Sequence, residues 1–192
     1  MDNIQFVALG CVSREKYDGL VVKKNEPKTL KEKLVKWYLS SQEYIHCELA
    51  FMDTKDSETN TVMACGVFRE DGVFWKPRTF SNIAYDWIYI QMSNQEYIKV
   101  KDWCIKQIGK KFDEKNVYSS SIWPRKRTKN TFWCVPFVVE ALQLIGMFQF
   151  VTPESLDPED VVYMVKKSSR QVFGLSPTSI EQDNTDITKM FR

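Results

Sequence analysis

The chain has 192 residues, 43% of them hydrophobic and 27% charged, with 6 Trp, 8 Tyr and 12 Phe. That length suits one domain, and the aromatic-rich composition excludes a mostly disordered chain, a coiled coil and a collagen-like repeat. The net charge of only +2 does not mark a nucleic-acid binder.

In chain order, Ile4–Cys11 reads as a short buried strand. No basic stretch precedes it, so a secretory signal is not expected. Thr29-Leu-Lys-Glu32 has the capping-box pattern and predicts a helix over about 30–40. Tyr44–Met52 reads as a strand, Asp53–Asn60 as a polar loop and Thr61–Arg69 as the returning strand. Asp71-Gly72 predicts a two-residue hairpin, with Val73–Lys76 leaving it. Ile83–Gln91 is a further strand, so the first half reads as an antiparallel meander.

Ser93-Asn-Gln-Glu96 is a second capping box. Tyr97, Val100, Cys104 and Ile108 then mark one helix face, and Gly109 stands where a C-terminal cap belongs. Residues 110–131 read as a long polar loop. Cys134, Phe137, Val138, Ala141, Leu142 and Ile145 form an apolar stripe that predicts a helix over about 133–147. Pro136 must lie in its first turn, where a missing N–H does no harm. Asp157-Pro158-Glu159 opens a short helix over about 158–167. Residues 168–192 read as a polar tail. The apolar stretch from Cys134 to Phe150 is too short and too polar to cross a membrane.

The chemistry is narrowed by counting. The five cysteines, at 11, 47, 65, 104 and 134, are odd in number and show no paired short spacing. A disulfide framework and a zinc ribbon are both disfavoured, and a reducing compartment, the cytoplasm, fits. His46 is the single histidine, which excludes zinc sites built on several imidazoles and makes it the one source of imidazole chemistry. No metal or cofactor is expected. Cys134 falls in the first turn of its helix, where free N–H groups and the helix dipole favour a thiolate. It also reads as the first residue of the apolar stripe. The other four cysteines read as core. On a strand His46 and Glu48 share a face, where the carboxylate could orient the imidazole. The pair also reads as a structural histidine beside a surface glutamate. Arg125, Lys126, Arg127 and Lys129 form a basic run ahead of Cys134. It is either a solvated loop or a rim that attracts an anionic substrate. Trp133, with Trp123, Phe132 and Tyr118, could line an acyl pocket or pack in the core.

The stretch Thr131-Phe-Trp-Cys-Val-Pro-Phe-Val-Val-Glu-Ala-Leu-Gln-Leu-Ile-Gly resembles the nucleophile helix of the circularly permuted NlpC-type papain-like superfamily. That group includes YiiX/YaeF-like bacterial proteins, a poxviral branch and, more distantly, lecithin:retinol acyltransferase. The order of His46 before Cys134 is similar, as are Gly109-Lys-Lys-Phe-Asp113 upstream and Thr152-Pro-Glu-Ser-Leu-Asp-Pro-Glu-Asp downstream. The resemblance implies an α+β fold in which an antiparallel sheet packs against a nucleophile-bearing helix, with a catalytic domain over 1–167 and a tail over 168–192. It implies a cysteine hydrolase acting on an amide, ester or thioester of a peptide, lipid or small-molecule acyl substrate. Cys134 would be the nucleophile and His46 the base. Trp133, Arg125 and Arg127 would face the substrate. Two departures stand out. Val135 replaces a serine common after the cysteine, and the strand after His46 offers only Glu58 or Asn60 where a third catalytic residue is usual. Glu48 is therefore the expected third residue, with Asn60 as substitute. Acyl transfer, or an inactive papain-like binding module such as a viral accessory protein in host cytoplasm, are the alternatives. Peripheral membrane contact stays open, and oligomeric state is not legible.

Overall fold

A computed structural model describes residues 4–14, 42–80, 85–120 and 126–172. The helix predicted over about 30–40 lies outside the described residues, as do residues 173–192 of the predicted tail. The architecture is α+β. Strands β1 (Ile4–Ser13), β2 (Tyr44–Asp56), β3 (Thr61–Phe68), β4 (Gly72–Thr79), β5 (Tyr85–Ser93) and β8 (Gln171–Val172) form a sheet in the order β4-β3-β2-β1-β5-β8. Every pairing in it is antiparallel. Helices α1 (Asn94–Gln107), α3 (Cys134–Gln143) and α4 (Pro158–Lys167) pack on it, with a short α2 (Glu114–Ser120).

Period-two alternation decides which side chains meet the helices. Leu9 and Cys11 on β1, Cys47, Leu49 and Phe51 on β2, and Cys65 on β3 face one core together with Val100, Phe137, Leu142 and Val161. Ala8, Ala50, Val62, Ala64 and Tyr89 form a smaller cluster on the opposite face. The central strands are buried on both faces, which is why Ile4–Cys11 and Tyr44–Met52 read as continuous apolar runs.

Three expectations need correction. First, the predicted loop at Asp53–Asn60 begins late, because β2 continues to Asp56 through an irregular register after Phe51. Thr54 makes this possible: its hydroxyl donates to Phe51 O and accepts from Met63 N at 2.8 Å. Second, the β3–β4 turn spans Arg69–Asp71 between the paired Phe68 and Gly72, one residue longer than a two-residue hairpin. Gly72 takes the left-handed conformation (φ 66°), and a Cβ there would lie 2.3 Å from Lys110 O. Third, the stretch 110–131 is not all loop. It contains α2 and a parallel ribbon of β6 (Lys111–Phe112) and β7 (Thr131–Phe132).

Asp113 organises that stretch. It is almost fully buried and accepts from Thr128 N at 2.6 Å, Thr131 Oγ1 at 2.8 Å and Asn116 Nδ2 at 3.0 Å. The chain entering α3 is thereby clamped one turn before the helix starts. The expected capping box at Ser93 forms, and Asp157, expected as an N-cap, also exchanges reciprocal bonds with Asp160, with Pro158 in the first turn of α4. Helix α3 ends at Gln143, earlier than expected, and Gly146 makes the left-handed turn after it (φ 82°). Among the described residues no helix is long and apolar enough to cross a membrane.

Candidate active site

Cys134 is the first residue of α3. Trp133 precedes it in extended geometry and provides no side-chain cap. The first backbone bond of the helix runs from Phe137 N to Trp133 O at 3.3 Å. The N–H groups of Cys134 and Val135 therefore have no intrahelical acceptor, and Pro136 has none to offer. Cys134 is half-buried, whereas the other four cysteines are buried; all five are free.

His46 and Glu48 project from the same face of β2. At these positions β2 is in register with β1, while its pairing with β3 starts at Leu49. The His46 ring stacks on Phe68, with centroids 4.2 Å apart and planes 20° apart. Its Nε2 lies 3.6 Å from Glu48 Oε2, close enough for charge attraction but long for a hydrogen bond. Glu48 is fully buried. Its two oxygens are gripped from β4 by Arg78, Nε to Oε1 at 2.7 Å and Nη2 to Oε2 at 3.2 Å. Gly66 on β3 makes room for it, since a Cβ there would stand 2.8 Å from Glu48 Cβ.

The electrostatics follow from these neighbours. Burial alone would lower the His46 pKa, but the Cys134 sulfur and the Glu48 carboxylate outweigh it and raise it to about 9. Burial would raise the Glu48 pKa, but His46 and Arg78 outweigh it, and the carboxyl is held below its usual range. The Cys134 thiol is held well below its usual range. The Cys47 thiol that donates to it is the largest cause, burial opposes, and His46 adds to the lowering. Cys47 is in turn pushed well above its usual range, by that same hydrogen bond and by burial. Each of these shifts favours the charged form, so along the row Arg78, Glu48, His46 and Cys134 the favoured charges alternate in sign.

The structure thus brings Cys134, His46 and Glu48 together. It does not bring Asn60 to them. Asn60 sits at the tip of the β2–β3 turn with Glu58, ten strand residues from His46, or about 30 Å at the usual strand rise. Arg125 and Trp123 lie outside the described residues, as does the Tyr118 side chain. The basic rim is narrower than its sequence suggests. Lys126 and Lys129 are exposed, but Arg127 pairs with Glu140 at 2.5 Å and lies 4.1 Å over the Phe132 ring. Its charge is turned onto α3. Trp133 is only 3% exposed and packs in the main core, which corrects its expected place in a substrate pocket. A large apolar ring next to a half-buried cysteine is free to pack inward, and here it does.

Two site residues escaped sequence reasoning. Cys47 reads as inert core because it alternates with His46 and Glu48 to the other face. Arg78 is thirty residues from Glu48 and lies beyond the strand expected over Val73–Lys76, so nothing local singles it out. Its one available signal was its register, opposite Val62 in a hairpin next to β2. Among the described residues no group of three or more His, Cys, Asp or Glu is placed to hold a metal ion. No family model matches the chain, and no curated protein or solved structure matches it either.

Proposed function

We propose that the protein is a cysteine hydrolase with a permuted papain-like arrangement, acting on an amide, ester or thioester bond. The observation that carries the reading is the half-buried Cys134 thiol at an uncapped helix start, held below its usual pKa by Cys47 and His46. The reaction uses groups already described. The Cys134 thiolate attacks the carbonyl carbon, and the oxyanion that forms is held by the free N–H groups of Cys134 and Val135. His46 gives its proton to the leaving oxygen, nitrogen or sulfur as that bond breaks. Water then attacks the acyl-thioester, His46 takes its proton, and the carboxylic acid and the thiolate are released. Nε2 of His46 is turned to Glu48, which leaves Nδ1 for these proton transfers. The free cysteines suit a reducing compartment such as the cytoplasm. The substrate is of the acyl class, a peptide, a lipid or a smaller ester.

Activated esters and thioesters of graded chain length test the reading. It expects an acyl adduct on Cys134 in intact-mass spectra and steady turnover that Cys134→Ala abolishes. Adduct formation on another cysteine, or turnover that survives Cys134→Ala, contradicts it. A stable adduct that passes its acyl group to an added amine or alcohol in preference to water would make the enzyme an acyltransferase. Complete inertness would leave the binding-module alternative.

A further inference from the structure

Glu48 is fully buried, and a buried carboxylate needs close partners for its charge. The nearest imidazole nitrogen is 3.6 Å away, whereas both short hydrogen bonds come from Arg78 on β4. A guanidinium fork matches the two oxygens of a carboxylate and fixes its plane as well as its charge. The fork is itself fixed. It lies 4.8 Å over Phe74 and 5.6 Å over Phe68, and Phe68 is the ring on which His46 stacks. One aromatic pair thus backs both the guanidinium and the imidazole, with the carboxylate between them.

We propose that Arg78 is a positioning residue of the Cys134–His46 pair: its bidentate hold keeps Glu48 ionised and aimed at His46, so that the imidazole keeps its proton beside the Cys134 sulfur. The inference rests on the cysteine-hydrolase reading and deepens it. The titratable groups around this row come from five elements. They are Cys11 on β1, His46 and Cys47 on β2, Arg78 on β4, Tyr85 on β5, which interacts with both Glu48 and Arg78, and Cys134 on α3. Asp86 on β5 and Lys166 on α4 act on Cys11 at its margin. Of these, His46 and Arg78 are the cations that face Glu48. Without Arg78 a fully buried carboxylate loses two charge-assisted bonds and takes up a proton. A neutral Glu48 no longer stabilises the imidazolium, and the thiolate loses its partner in turn.

The pH dependence of Cys134 alkylation by neutral iodoacetamide, read by peptide mapping, tests this. Arg78→Met should move the midpoint up by about one unit, which is about a tenfold lower rate at a pH below both midpoints. Arg78→Lys keeps the charge without the fork and should shift it less. Glu48→Gln should shift it by a similar amount to Arg78→Met, and adding Arg78→Met to Glu48→Gln should change little more, because both act through one carboxylate. A purely structural Arg78 would lower the melting temperature and leave the midpoint at its native value, which overturns the proposal, as do shifts that add in the double variant. If Arg78→Met does not fold, the Lys variant decides: a midpoint between native and Glu48→Gln supports the role, and a native midpoint contradicts it. If the native protein shows no lowered midpoint at Cys134, the hydrolase reading fails first. If the midpoint is low but insensitive to Arg78, only this inference fails.

Discussion

Helices α1 and α3 pack on the same side of one sheet, and each carries a cysteine on its apolar face. They differ at their first turns. α1 is closed by the reciprocal bonds of Ser93 and Glu96, and Arg170 grips the Glu96 carboxylate from the chain after α4. α3 opens without any side-chain cap. Cys104 lies deep in α1, where burial pushes its thiol well above the usual range and Cys65 contacts its carbonyl at 3.8 Å. Cys134 lies at the open end of α3 beside His46 and Cys47, and the first two N–H groups of the helix have no intrahelical acceptor. An apolar stripe therefore does not distinguish a deeply buried cysteine from one whose thiol pKa is lowered. Place along the helix and the charges facing it do.

The largest expected effect separates the two cysteines. Cys134→Ala should remove acyl-adduct formation and turnover altogether, whereas Cys104→Ala should keep both and lower the melting temperature through the loss of a buried side chain. Mass spectrometry and turnover on one activated ester compare the two directly. Next comes the imidazole. His46→Ala should cost about 10²–10⁴-fold in turnover, the usual range for a positioned acid–base group. In the native protein, the proposed turnover should fall on the alkaline side as the His46 imidazolium, with a pKa raised to about 9, loses the proton it would give to the leaving group. A pH–rate profile with no alkaline limb near that value would break this part of the account.

The capping contrast gives smaller effects that act on stability alone. Ser93→Ala should lower stability by about 1 kcal/mol and leave Cys134 labelling as in the native protein. Arg170, followed by the Ser93 groups, holds the Glu96 pKa down at about 2 against 4.5 when free. A lowered carboxyl pKa stabilises the fold above the free value and loses that contribution as pH falls through the folded value. The melting-temperature gap between native protein and Glu96→Gln should therefore be full above about pH 4.5 and close as pH approaches about 2. The smallest effect is expected at the rim: Lys126→Glu with Lys129→Glu should leave labelling by neutral iodoacetamide within about twofold, since exposed charges are screened over about 8 Å at physiological salt.

The legible parts of this molecule were those encoded locally. The Ser93–Glu96 capping box, the Asp157-Pro158 helix start, the Pro136 constraint and the alternation around His46 depend on residues within four positions of one another, and the structure has each of them in place. What stayed hidden depends on contacts across the sheet. Arg78 meets Glu48 only because β3 and β4 fold back beside β2, and Cys47 meets Cys134 because the face of β2 that carries it packs against α3. The 110–131 stretch reads as loop because its order comes from Asp113 bonds to Thr128 and Thr131, up to eighteen residues away, and not from any apolar period. Trp133 departs from its expected place for a related reason: its neighbour Cys134 is half-buried, but its own side chain belongs to the core.

Competitive labelling of all five cysteines bears most directly on the account. Native protein and His46→Ala are given a brief pulse of iodoacetamide near pH 6.5, below the ordinary thiol pKa of about 8.5, and their peptides are mapped. The account predicts that Cys134 is modified first and nearly alone in the native protein, and that its labelling slows at least tenfold in His46→Ala while Cys104 stays protected in both. Labelling that begins at Cys11, Cys65 or Cys104, or a Cys134 rate that ignores His46, would contradict it.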